Sequence, residues 1–419
     1  MPLNFIKSSA IYSNNTEIPL TSPQRKLQRR FLAYQFFMNL WFIEAIWLYF
    51  YRMFMNDAQV GLIGSLALVI GLITEIPSGA LADKFGRNRM VRIGMIIAAL
   101  GLGLQAIGGF WPIIIFQIGA IIGFSLVSGA DEALFFEKLK FRKNSLHWRR
   151  LIMRYSQMAY LALIVAVPIG GFLYEINPIL PFILTSIAML ISTAIVWNVR
   201  DEPSSQTKSK VKISSKEFRD YFASIKDGLR IFTGKKLRIY VPIILAVQGL
   251  LYFFDQGLLT IAFMDRFHFS ESFGGIVIGA ASLFAVVALH FMHKYAAKLG
   301  EKLVITALSL LIIASLVMAI FDIRMFGIFV ILILYSGDGI IYPFISEVIN
   351  KHTSNSSRST VLSTASVLRM LPYILLAPLV GWLNTCGELW IFLTATSILI
   401  VMAWAYYVSR KRRDAEKMY

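Results

Sequence analysis

Seven charged side chains interrupt stretches that are otherwise almost wholly apolar, and their types could do chemistry: Glu44, Glu75, Asp131, Glu132, Asp255, Asp338 and Arg369. A charge at the centre of a bilayer costs about 2.5 to 3.5 kcal/mol on insertion scales, so one retained there faces water or a partner. Burial shifts a carboxyl towards the range in which it takes up and releases a proton, and an ionised carboxylate can hold a cationic group. On this reading Glu44 or Asp255, together with Asp338, exchanges protons or binds a cationic part of a substrate. Asp131 and Glu132 stand about 100° apart around a helix and so take separate roles. Asn39 and Gln248, with Gln35, Tyr34 and Tyr252, add hydrogen-bonding and aromatic groups beside the acids. Glu75 is a candidate gate residue or a member of a charge network near one membrane face, and Arg369 is a candidate contact for an anionic substrate.

Other chemistry is not expected. The single cysteine, Cys386, has no internal disulfide partner, and no cluster of His, Cys and carboxylates has metal-site spacing. A Gly-x-x-x-x-Gly-Lys-(Ser/Thr) phosphate loop is missing, so neither a cofactor nor ATP drive is expected, and the chain does not read as an enzyme.

The elements that must position these residues are membrane helices. The 419 residues are 57% apolar and 16% charged, and the mean hydropathy is +0.65. A hydrocarbon layer of roughly 30 Å needs about 20 helical residues. Spans are expected at Phe31 to Tyr51, Val60 to Ala82, Val91 to Gly109, Trp111 to Phe135, Tyr155 to Tyr174 and Pro178 to Val199. A second six follow at Tyr240 to Phe263, Phe273 to His293, Leu303 to Phe321, Met325 to Ile349, Val361 to Leu383 and Leu389 to Val408. The expected organisation is therefore an N-terminal tail (1–30), a six-helix bundle (31–199), a linker (200–239), a second six-helix bundle (240–408) and a C-terminal tail (409–419). The tail has no secretory cleavage pattern, and the first span would act as an uncleaved signal.

The formal charge of +17 raises the question of nucleic acid, and the positions of the basic residues answer it. With both termini on the same side, only Arg52, Arg266 and Arg324 of the 41 Lys and Arg residues fall in loops on the opposite face. That asymmetry places both termini in the cytoplasm of a cell whose plasma (inner) membrane carries the protein. Anionic lipid is then the expected neighbour, and nucleic acid is not. In the linker, Phe218, Tyr221, Phe222, Ile225, Leu229 and Phe232 recur at helical spacing, which predicts an amphipathic helix on the inner membrane face.

The halves are related. Pro168, Gly171, Phe172 and Leu173 of span five recur at one constant offset as Pro378, Gly381, Trp382 and Leu383 of span eleven, and Ser128-Gly129 of span four recurs as Ser336-Gly337 of span ten. Parallel duplication of six helices is an arrangement found in transporters, with a binding site at the bilayer midplane.

Between spans two and three, Gly79-Ala80-Leu81-Ala82-Asp83-Lys84-Phe85-Gly86-Arg87-Asn88-Arg89 resembles the signature loop of the major facilitator superfamily, departing from it at Asn88. The resemblance implies an all-α membrane protein with twelve transmembrane helices in two pseudosymmetric six-helix bundles, with a loop that latches one conformation. It implies that Gly79, Asp83, Lys84, Gly86 and Arg87 form that latch, with Arg87 pairing to Glu132 or Glu137, and that spans one, four, seven and ten line a central cavity. Those are the spans that hold Glu44, Asp131, Asp255 and Asp338. Pro168, Gly170 and Gly171 resemble a span-five signature of proton-coupled antiporters with altered spacing, and a packed helix kink explains them equally well. Gln117 stands near the place of the arginine in the antiporter pattern.

The expected activity is secondary active transport by alternating access, without a covalent step. Proton-coupled efflux of small hydrophobic or cationic compounds leads, by a monomer whose partners are the small-molecule substrate, protons and membrane lipid. Proton-coupled uptake of a polar metabolite is the alternative, and a non-transporting receptor or scaffold on the same fold is the alternative from another class.

Overall fold

In hydrocarbon every backbone N–H and C=O needs a partner, and a helix supplies these within one segment. The computed structural model describes residues 21–139, 145–199, 215–234, 236–321, 323–354 and 357–416, and no strand occurs among them. The helices of the first half are α1 (Ser22–Met38), α2 (Trp47–Arg52), α3 (Asp57–Phe85), α4 (Arg87–Leu104), α5 (Phe110–Val127), α6 (Ala130–Leu139), α7 (Ser145–Ile176) and α8 (Leu180–Val196). The linker contributes α9 (Ser215–Phe232). The second half contains α10 (Val241–Ile243), α11 (Gly249–Asp255), α12 (Leu258–Arg266), α13 (Glu271–Leu299), α14 (Glu301–Met318), α15 (Arg324–Lys351), α16 (Arg358–Thr385) and α17 (Leu389–Glu416).

Among the described residues, nine helical stretches are long and apolar enough to cross a membrane unbroken, with α5 and α6 counting as one. The bent run from α10 to α12 makes a tenth; the shorter apolar α8 and the interrupted pair α1 and α2 lie where the sixth and first spans are expected. The protein is an all-α, twelve-helix membrane protein, as its sequence predicts. Tight turns fall where expected, at Gly108 and Gly109, both with positive φ, and between α14 and α15.

Two expected spans are not continuous. Span one stops at Asn39 and resumes at Trp47. Span seven bends by 73° between Asp255 and Leu258, at Gly257, whose φ of 80° is left-handed. Hydropathy averages over such breaks because their few polar residues are flanked by apolar ones. Backbone groups released at a break must find other partners, and a threonine serves at each. Thr185 of α8 accepts from the Phe42 N–H at 3.2 Å, and Thr260 donates to the Phe254 carbonyl at 2.9 Å. Upstream of the second break, Ile244–Gln248 forms a π-helical stretch between α10 and α11.

By internal packing the chain divides into two compact units. Among the described residues, one comprises those of 21–54 and 66–219; the other comprises those of 55–65 and 220–416. In the first, α4 and α5 approach closely through small residues: Gly94 faces the Gly123 carbonyl, and Gly101 faces Ala120 and the Phe116 carbonyl. In the second, Gly61 and Gly381 allow the start of α3 to meet α16 backbone to backbone, and Asn384 donates to the Asp57 carboxylate at 2.6 Å. The expected amphipathic helix is α9. Its Gly228 abuts Thr364 of α16 and its Phe232 is buried, while Leu229 stays exposed.

Candidate functional site

A buried charge cluster in the second unit is built on three helices. Arg369 of α16 is 4% exposed, and its Nη1 donates to both oxygens of Asp338 on α15, at 2.9 and 3.1 Å. Its Nη2 lies 3.7 Å from Asp255, the last residue of α11. The sequence reading pairs Asp338 with Asp255 or Glu44, for protons or cations, and sets Arg369 apart as a contact for an anion. The fold brings them into one cluster. A buried guanidinium needs compensating carboxylates, and two acids on neighbouring helices supply them.

Aromatic rings complete the enclosure. The Arg369 guanidinium carbon sits 4.6 Å from the ring centroid of Tyr252 and 4.5 Å from that of Tyr342, within cation–π range. Tyr342 is held by a 3.2 Å hydrogen bond with Ser366, and Tyr252 meets Tyr373 edge-on at 5.8 Å. Tyr252 was among the residues expected near the acids; Tyr342 was not. Its signal was present, since it follows Asp338 by one helical turn and so shares its face. Asp338 and Arg369 have side-chain exposures of 9% and 5%, but Asp255 keeps 36%, so the cluster has one accessible member. Two acids and one base carry a formal charge of −1 when all are ionised, and zero when one proton is bound.

The first unit holds a different arrangement. Asp131 at the start of α6 is 4% exposed and accepts from the hydroxyls of Tyr34 on α1 and Tyr155 on α7, at 3.4 and 3.3 Å. Among the described residues, no cation is recorded within ion-pairing distance of it. Glu132 adjoins it, and the Glu132 N–H donates to Asp131 at 2.7 Å. Tyr155 was not foreseen, and nothing in its own surroundings in the sequence marks it.

The family can now be read from the whole chain. A model of the Major Facilitator Superfamily matches residues 30–375. The chain belongs to that superfamily. It is an integral, multi-pass membrane transporter of small-molecule substrates. The MFS-type transporter YxaM of Bacillus subtilis (strain 168) is 24% identical to it over 372 residues, covering 85% of this chain and 88% of that protein. Solved structures with the same fold include a variant of the peptide transporter POT, with TM-score 0.71, 14% identity and coverage of 94% and 97% of the two chains. The nucleoside transporter NupG has TM-score 0.68 at 14% identity, with coverage of 92% and 99%.

The remaining expected site residues of this superfamily member are placed as follows. Glu44 lies in the break of span one and is half-buried. Asn39 ends α1, and its amide donates to the Gln35 carbonyl of the same helix at 2.7 Å. Gln248 closes the π-helical stretch and donates to the Ile341 carbonyl at 3.5 Å, bracing α15 close to Asp338. In the signature loop Gly86 takes a φ of 95° and Arg87 opens α4. The side chains of Asp83 and Lys84, Gly79 and Glu137 lie outside the described residues. Glu75 is exposed and accepts from Ser128 at 3.3 Å. In span five, Pro168 sits within α7, Gly171 is buried, and Gly170 lies directly against the Phe42 backbone in the break of span one. Gln117, in place of a cation, joins a neutral network with Tyr51 and Gln105, at 3.2 and 3.0 Å.

Proposed function

We propose that the chain is a proton-coupled secondary transporter working by alternating access, with Arg369, Asp338 and Asp255 as its coupling centre and uptake of a polar metabolite as its direction. The observation that carries this reading is one buried guanidinium shared by two carboxylates of unequal exposure. Each bound proton cancels one negative charge of this cluster, and the fewer uncompensated charges a bundle carries through a low-dielectric interior, the less its rearrangement costs. Asp255, accessible and 3.7 Å from Nη2, is the member that takes the proton. Asp338, doubly bonded to Nη1, holds Arg369 in place.

The same pairing weighs against export of cationic compounds as the leading reading. That reading needed free acids, and two of its three candidates already face Arg369. We place the protein in the plasma membrane with both termini cytoplasmic, on the distribution of its basic residues.

The test is accumulation of a panel of radiolabelled polar metabolites by proteoliposomes, with the outside acidic. Wild-type protein should concentrate at least one of them under the gradient. Asp255→Gln and Asp338→Asn should each remove gradient-driven accumulation while leaving exchange measured without a gradient. Full gradient drive in both variants would falsify the coupling centre, and accumulation only under the reversed gradient would reverse the direction.

A further inference from the structure

The Arg369 guanidinium is only partly used. Nη1 bonds Asp338, but Nε is buried and has no hydrogen-bond partner among the described residues. Nη2 has only the 3.7 Å ion pair with Asp255, which is too long for a hydrogen bond. Nε and Nη2 form one edge of the planar group, and their parallel N–H bonds are the fork that carboxylates occupy with two hydrogen bonds. A buried charged donor left unbonded is costly, so a fork whose N–H groups go unbonded beside an accessible carboxylate is suited to a second acceptor.

Resting on the coupling reading above, we propose that the substrate carries a carboxylate, which docks two-pronged on the Nε and Nη2 edge of Arg369 as Asp255 gives way and takes up a proton. Charge requires the two events together. Adding an anion alone would raise the cluster from −1 to −2 beside Asp338, whereas one proton on Asp255 for each docked carboxylate leaves it at −1. The groups facing Arg369 are Asp255 and Tyr252 from α11 and Asp338 and Tyr342 from α15, and Tyr373 of its own helix packs on Tyr252. Asp255 combines proximity to the fork with exposure, so the proton goes there. Proton and substrate then bind at once to adjacent groups, which is the requirement for symport.

The test uses full-length protein purified in detergent, with propionate, benzoate and succinate as probes, each against its primary amide. At least one carboxylate should raise the melting temperature where its amide does not, and a pH indicator in weakly buffered solution should report proton uptake on binding. Arg369→Lys keeps the charge and loses the fork, and should weaken carboxylate binding by about tenfold or more. Asp255→Asn should still bind the carboxylate, now without proton uptake. The proposal is overturned if carboxylates and amides act alike, if Arg369→Lys binds as the wild type does, or if Asp255→Asn keeps the uptake. Gradient-driven accumulation of an uncharged metabolite, with no carboxylate preference, would refute this substrate class and leave the coupling centre standing. Carboxylate binding without gradient drive would do the reverse.

Discussion

Gly170 of α7 touches the backbone of Phe42, and a Cβ at that position would collide with the Phe42 carbonyl. The contact explains a glycine whose spacing resembles a family signature only loosely: it makes room for the interrupted first span. Gly170→Ala should therefore destabilise the protein by about 1 to 3 kcal/mol through overpacking. Gly119→Ala is the control, since nothing lies within 4 Å of its Cβ position. Melting curves of the two variants in detergent check this, and equal curves would refute it.

The ion pair of Arg369 with Asp338 is buried, so removing one partner should hurt more than removing both. Asp338→Leu alone leaves Arg369 with only the 3.7 Å contact to Asp255 and should cost about 3 to 5 kcal/mol. Combining it with Arg369→Met should recover a substantial part of that loss. A double-mutant cycle on thermal stability measures the coupling, and strictly additive effects would show that the pair is not a unit.

Asp131 depends on two tyrosine hydroxyls. Tyr155→Phe and Tyr34→Phe each remove one donor and should each cost about 1.5 kcal/mol, the lower end for a bond to a charged acceptor because both distances exceed 3.2 Å. Tyr155→Phe combined with Asp131→Asn should cost less than the sum. Denaturation midpoints read this directly.

Glu301, the first residue of α14, accepts from Tyr240 at 2.5 Å and Tyr407 at 2.7 Å and pairs with Lys411 at 3.2 Å, tying together the starts of spans seven and nine and the end of span twelve. Glu301→Ala strands two tyrosine hydroxyls and should cost about 1 to 3 kcal/mol for each that stays unsatisfied. Glu301→Gln, whose carbonyl oxygen can stand in for the one carboxylate oxygen that both hydroxyls bond, should cost clearly less. Trypsin sensitivity around Lys411 offers a second readout, and it should rise in the alanine variant.

The fold was legible where the sequence carries a one-dimensional signal. Span length and hydropathy revealed the helices, recurrence of Pro168 and Gly171 as Pro378 and Gly381 revealed the duplication, and helical spacing from Phe218 to Phe232 revealed α9. The acids were legible as anomalies in apolar surroundings. Their grouping was not: Asp255, Asp338 and Arg369 come from three helices, and no pattern along one strand of text states which helices are neighbours. The breaks escaped for a related reason, because the residues that make them tolerable, Thr185 and Gly170 for span one, are far away in sequence.

The π-helical stretch at Ile244–Gln248 has a geometric consequence for Asp255. A turn that accommodates one extra residue retards the angular phase of everything after it by about 100° relative to an unbroken α-helix. The azimuth at which Asp255 leaves α11 is thus set upstream, by a stretch that ends seven residues before it. Rewinding that stretch as regular α-helix with all its residues kept would swing the carboxylate by about that angle around the axis, and the triangle it forms with its two partners would open although every residue of that triangle is still present.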